Sequence, residues 1–72
     1  MEKDQFKLKE KEEFIELTKL LKIKQIAQTG GHAKLIVEDG DVYVNGEQEF
    51  RKRKKLRQGD IITLDGIEIT IV

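Results

Sequence analysis

The sequence predicts an α+β domain in which two helices pack on a small, mostly antiparallel sheet. Three observations predict it. Asn45-Gly46 and Asp65-Gly66 each separate two short runs rich in β-formers, and both dipeptides accept the positive φ angles of a tight hairpin turn. Phe14, Leu17, Leu20 and Leu21 recur at the spacing of one helical face. Ala33, Ile36 and Val37 do the same over a shorter stretch that stops at Gly40.

Taken in order, Phe6 and Leu8 alternate with Lys7 and Lys9, the period of a short strand. A first helix is expected from Lys11 to Lys22. Glu12, Glu13 and Glu16 stand near its start and Lys19 and Lys22 near its end, which suits the helix dipole. Thr29 is the expected N-cap of a second helix running to about Asp39, with Gly40 closing it. Val42 to Val44 and Glu47 to Phe50 are the arms of one hairpin, and Ile61 to Leu64 and Ile67 to Val72 those of another. In the last arm Ile67, Ile69 and Ile71 alternate with Glu68 and Thr70, so one face is buried. Residues 51–57 connect the hairpins, with Phe50 and Leu56 expected to be buried at either end.

Seventy-two residues make one domain, 1–72, with a modest core. There is no cysteine, hence no disulfide and no thiolate metal site. Met1-Glu2-Lys3-Asp4 and the lack of a long apolar run argue against a signal peptide or a membrane span, so a cytoplasmic protein is expected. Catalysis has few materials: no Cys or Ser nucleophile, and one histidine without a partner to orient it. Gly30-Gly31-His32-Ala33-Lys34 has too narrow a glycine spacing for a nucleotide-hydrolase phosphate loop. Glu38, Asp39 and Asp41 lack the spacing of a calcium loop. The expectation is a non-enzymatic protein with no cofactor, no metal and no small-molecule substrate.

Fourteen basic and fourteen acidic side chains cancel, but not locally. Residues 51–57 hold Arg51, Lys52, Arg53, Lys54, Lys55 and Arg57 with no acid, and the fifteen residues after them hold three acids and no base. A patch is a better electrostatic footprint than a total. Such a run is either a solvated loop, in which like charges repel, or a site for an anionic partner. The absence of any internal acid favours the site. Arginine gives bidentate contact with phosphate, which singles out Arg51, Arg53 and Arg57. The start of the second helix is a further candidate, because unpaired N–H groups there attract anions. Gly30 and Gly31 leave those groups open, Lys34 lies one turn on, and His32 adds a donor when protonated. By spacing alone the glycine pair reads rather as a flexible helix entry, since adjacent glycines are common in turns.

The stretch Phe14–Leu64 resembles the S-four RNA-binding domain, also called the αL motif. The matching residues are Thr29, Ala33, Lys34, Ile36, Val37, Gly40, Val42, Val44-Asn45-Gly46, Leu56 and Gly59-Asp60. Thr29-Gly30-Gly31 and Arg51-Lys52-Arg53 resemble its small stand-alone YaaA- and YbcJ-like branch. The resemblance implies binding of structured or double-stranded RNA, ribosomal RNA among the candidates, through the second helix start and the adjoining basic loop. On this sequence those are Thr29, Gly30, Gly31, His32 and Lys34, with Arg51 to Lys55 and Arg57. Many members place an Arg and a Lys where this chain has Glu13 and Glu16, and a basic residue where it has Gly30, so the burden shifts to residues 51–57. One Tyr, three Phe and no Trp are too few for a single-strand stacking platform. A monomer without membrane contact is expected. The rival reading is an adaptor that binds an acidic protein through the same loop. Anionic lipid is a weaker third, since neither an acyl signal nor a basic amphipathic helix accompanies the run.

Overall fold

The computed structural model describes all of residues 1–72. Its elements are β1 (Glu2–Phe6), β2 (Ile15–Glu16), α1 (Leu17–Ile23), α2 (Gly30–Glu38), β3 (Tyr43–Val44), β4 (Glu47–Gln48), β5 (Lys55–Leu56), β6 (Ile61–Leu64) and β7 (Ile67–Ile71). Five strands form one sheet in the order β1-β7-β6-β3-β4, and β2 pairs separately with β5. All pairs are antiparallel except β1 with β7. The two helices cover one face, and the core is a single cluster drawn from α1, α2, β3, β6 and β7 together with Ile15, Ala27, Val42 and Leu56. This is the predicted α+β architecture.

Both hairpins turn where their dipeptides stand, with φ of 53° and 85° at Asn45-Gly46 and 46° and 75° at Asp65-Gly66. In β7, Ile69 and Ile71 are fully buried and Ile67 packs against the core from its edge. The second helix also begins and ends as expected. Thr29 is extended and its Oγ1 accepts the N–H of His32 at 3.0 Å, while Gly40 takes φ of 80°. A side chain at Gly40 would strike the Gln48 amide, so the glycine is required twice.

Two elements differ from expectation. The first strand lies at Glu2–Phe6 rather than around Phe6–Lys9, although hydrogen bonds to Val72 carry the pairing on to Leu8. Glu2 to Gln5 are polar and exposed, as suits an edge strand, so apolar alternation could not mark it. The first helix starts at Leu17, not Lys11. Ile15 and Glu16 are drawn into β pairing with Leu56 and Lys55, and this distant partner overrides a helical period. Glu12, Glu13 and Phe14 therefore precede the helix, its first turn has no acid, and only Lys22 suits its dipole.

Candidate functional site

The basic run is a built loop. The first N–H groups of α1 have no partners within the helix, and carbonyls of the run satisfy them: Leu17 N–H donates to Lys54 O at 2.9 Å and Thr18 N–H to Lys52 O at 3.3 Å. Lys54 N–H closes a turn onto Arg51 O at 3.2 Å, and Leu56, fully buried in β5, anchors the far end. With its carbonyls turned inward the loop directs its side chains out. Arg51, Arg53, Lys54, Lys55 and Arg57 line one shallow depression of about 460 Å³ that contains no other residue type.

The near end is held differently from expectation. Phe50 is 55% exposed and anchors nothing in the core. Its neighbour Glu49, only 9% exposed, does the work: its carboxylate accepts from Arg51 Nε and Nη2, each at 2.9 Å, and from the Arg51 N–H at 3.0 Å. The Arg51 hydrogen bond holds the Glu49 carboxyl below its ordinary pKa, outweighing the opposing effect of burial, and raises that of Arg51 in turn.

The run is also less uniformly positive than its sequence. Lys52 pairs with Glu38 at 2.7 Å and Arg53 with Glu16 at 2.7 Å, so Arg51, Lys52 and Arg53 each carry a carboxylate brought from outside the run. Lys54, Lys55 and Arg57 make no ion pair. Two of these sit over the Phe14 ring, Lys55 Nζ at 4.9 Å and Arg57 Cζ at 5.8 Å from its centroid. The Arg57 N–H donates to Asp60 Oδ2 at 2.8 Å, and Asp60 Oδ1 accepts from Asn45 at 3.0 Å. The Asn-Gly and Gly-Asp elements of the sequence signature thus hold each other and set the Arg57 backbone.

At the start of α2, Thr29 Oγ1 takes the His32 N–H and Thr29 O that of Ala33, leaving the N–H groups of Gly30 and Gly31 without partners. Neither glycine has a positive φ, and an added Cβ would meet nothing nearer than Thr29 Oγ1 at 3.9 Å. His32 Nδ1 accepts the Gln28 N–H at 3.3 Å, and both His32 and Lys34 are exposed. None of these residues lines the basic depression. The Lys52–Glu38 pair ties the loop to the C-terminal end of α2, the end opposite Gly30 and Gly31. Tyr43 is 42% exposed on the sheet, and Leu35 is 59% exposed on α2. Phe14, Glu49 and Asp60 were not singled out as positioning residues by sequence. The Gly59-Asp60 motif was the available signal for Asp60, whereas nothing local marks Phe14 or Glu49.

No helix is long and apolar enough to cross a membrane. The family model described as the S4 domain matches residues 6–72. RlbA of Bacillus subtilis (strain 168), named as a probable ribosome maturation protein, is 37% identical over 54 residues, covering 75% of this chain and 76% of that one. YbcJ of Escherichia coli (strain K12) is 34% identical over 58 residues, covering 81% and 83%. The solution structure of E. coli YbcJ, described as an αL motif involved in RNA binding, superposes with a TM-score of 0.71 over 94% of this chain and 85% of that one.

Proposed function

The chain belongs to the S4 domain family, and from that premise we propose that it binds structured RNA through backbone phosphates, without a catalytic step. The observation that carries this reading is the depression lined only by Arg51, Arg53, Lys54, Lys55 and Arg57. A ring of cations with no carboxylate in its wall suits phosphate oxygens, and contacts of this kind position a duplex by shape rather than sequence. Lys54, Lys55 and Arg57 engage first, since they release no partner. Arg51, Lys52 and Arg53 join by exchanging carboxylates for phosphates.

The open N–H groups of Gly30 and Gly31 take a further phosphate, flanked by Lys34 and His32 and with Thr29 fixing the turn. Alanine would favour the helix by about 0.5–1 kcal/mol at either glycine. No backbone angle or close packing requires glycine at either position. Ribosomal RNA is the class we propose, supported by what the matched relatives are named for.

Binding by nuclease-treated protein tests this. With about four to six phosphates neutralised, log affinity falls against log salt with a slope of roughly −3 to −5. A slope near zero removes the electrostatic reading, and capture of an acidic protein in place of RNA selects the adaptor. Gly31→Ala is expected to stabilise the fold and leave affinity unchanged. Gly31→Glu puts a carboxylate at the phosphate position and is expected to weaken binding about tenfold, one charge-assisted hydrogen bond's worth. Equal affinity for the two variants removes α2 from the interface.

A further inference from the structure

The largest depression in the molecule, about 560 Å³, adjoins the basic one and is of a different chemistry. Phe14, Glu13, Glu16, Lys19 and Arg53 are among its lining residues, and Arg53 lines both depressions. Phe14 is partly buried, yet it is absent from the residues that close the core at its edge, which are Phe6, Leu8, Ile26, Ile36 and Ile67. It is instead a ring kept out of the core, with Lys55 and Arg57 over it, and neither of those cations lines this depression, so the ring surface that opens here is not the one they cover. Glu12, Glu13 and Glu16 offset Lys11, Lys19 and Arg53, so this depression has no net positive charge and is a poor home for phosphate. An aromatic face with acceptors at its rim suits a neutral, planar group that carries N–H donors.

The geometry points to a site for one unpaired nucleobase stacked on Phe14, its donor edge facing Glu13. This rests on the RNA reading above and goes beyond it. Because Arg53 belongs to both depressions, a nucleotide whose phosphate sits among the cations delivers its base next door. Glu16 gives Oε2 to Arg53, whereas the Glu13 side chain has no partner in the structure. Guanine presents N1–H and N2–H side by side to a single carboxylate, and uracil presents one N–H between two carbonyls. The site therefore selects guanine over uracil. Unpaired bases in bulges and loops are read in this way, by an aromatic face and contacts to the base edge. One ring takes one base, which needs no stacking platform.

The test compares a fully paired RNA duplex with the same duplex carrying a single bulged guanine or a single bulged uracil, by anisotropy of labelled RNA. The bulged-guanine RNA is expected to bind about tenfold tighter than the paired one, within the range of one base–aromatic stack. Phe14→Leu also removes the ring under Lys55 and Arg57, so it weakens both RNAs, but it weakens the bulged one about tenfold more and so abolishes the preference. Phe14→Trp retains it, and because the chain has no tryptophan, its emission reports the site alone. That emission is quenched by the bulged RNA and not by the paired one. Glu13→Gln narrows the choice of guanine over uracil. The inference is overturned if Phe14→Leu keeps the parent's preference, or if it weakens both RNAs equally, which would make the ring only a brace for Lys55 and Arg57. Binding of paired RNA with no gain from a bulge overturns this site and leaves the phosphate reading standing. Failure of the parent to bind any of the RNAs overturns both.

Discussion

Arg51, Lys52 and Arg53 are chemically the same kind of residue as Lys54, Lys55 and Arg57, but the fold holds the two groups by opposite means. The first three rest on the carboxylates of Glu49, Glu38 and Glu16. Of the second three, two rest on the face of Phe14 and none has an acid. An exposed ion pair contributes about 0–1 kcal/mol and an exposed cation–π contact about 0.5–1 kcal/mol, so the two kinds of support are of similar strength. Their effect on the field is not similar. A carboxylate fixes a cation and cancels it, whereas a ring fixes a cation and leaves its charge intact. Shape is thus provided by one half of the run and potential by the other.

The largest effect separates the halves directly. Replacing Lys54, Lys55 and Arg57 together by Ala is expected to weaken RNA binding by roughly 4.5 kcal/mol or more at low salt, at about 1.5–3 for each charged hydrogen bond. The matching replacement of Arg51, Lys52 and Arg53 is expected to cost less than half as much affinity and more stability. Equal affinity losses from the two triple variants, measured by titration, would break the division.

A smaller effect tests the brace at Glu49. Glu49→Gln is expected to lower unfolding free energy by about 1 kcal/mol near neutral pH, discounted because Arg51 is exposed. The carboxyl titrates below its ordinary 4.5 in the folded state, so its stabilisation is complete above pH 4.5 and drains away as pH falls through the lowered value. Denaturation curves of parent and variant should converge in acid. A constant gap down to low pH would mean that ionisation of Glu49 contributes nothing.

The smallest effect sharpens the comparison. Glu16→Gln or Glu38→Gln converts a cancelled cation into a free one, and each is expected to raise RNA affinity about twofold to fivefold, the scale of one surface pair. The log–log salt slope steepens by just under one unit per cation released. Unchanged affinity and slope would show that these carboxylates do not compete with RNA.

What the sequence could show was what it encodes locally. Asn45-Gly46, Asp65-Gly66, Thr29 and Gly40 act through their own backbone angles or caps, and all four stand where expected. What it could not show was set by residues far along the chain. Leu56 makes α1 start late by pairing with Ile15, and Glu16 and Glu38 reach the basic run across long separations, so a string of six cations looked more positive than it is. Phe50 was expected inside on hydrophobicity, but the neighbouring carboxylate holds the chain there. Both candidate elements were marked in the sequence, whereas the Lys52–Glu38 pair, which sets the basic loop against the C-terminal end of α2, was not.

The two hydrogen bonds from the start of α1 to Lys52 O and Lys54 O bear on the entropy of association. A basic segment that became ordered only on meeting its ligand would give up roughly 1–2 kcal/mol of backbone freedom per residue at that moment. Coupled ordering of that kind leaves a large heat-capacity change in calorimetry. Here the loop is already fixed to the end of a helix, and its freedom was lost when the domain folded. Association is then close to rigid docking, with a small heat-capacity change, and residence time rather than encounter rate distinguishes one RNA from another.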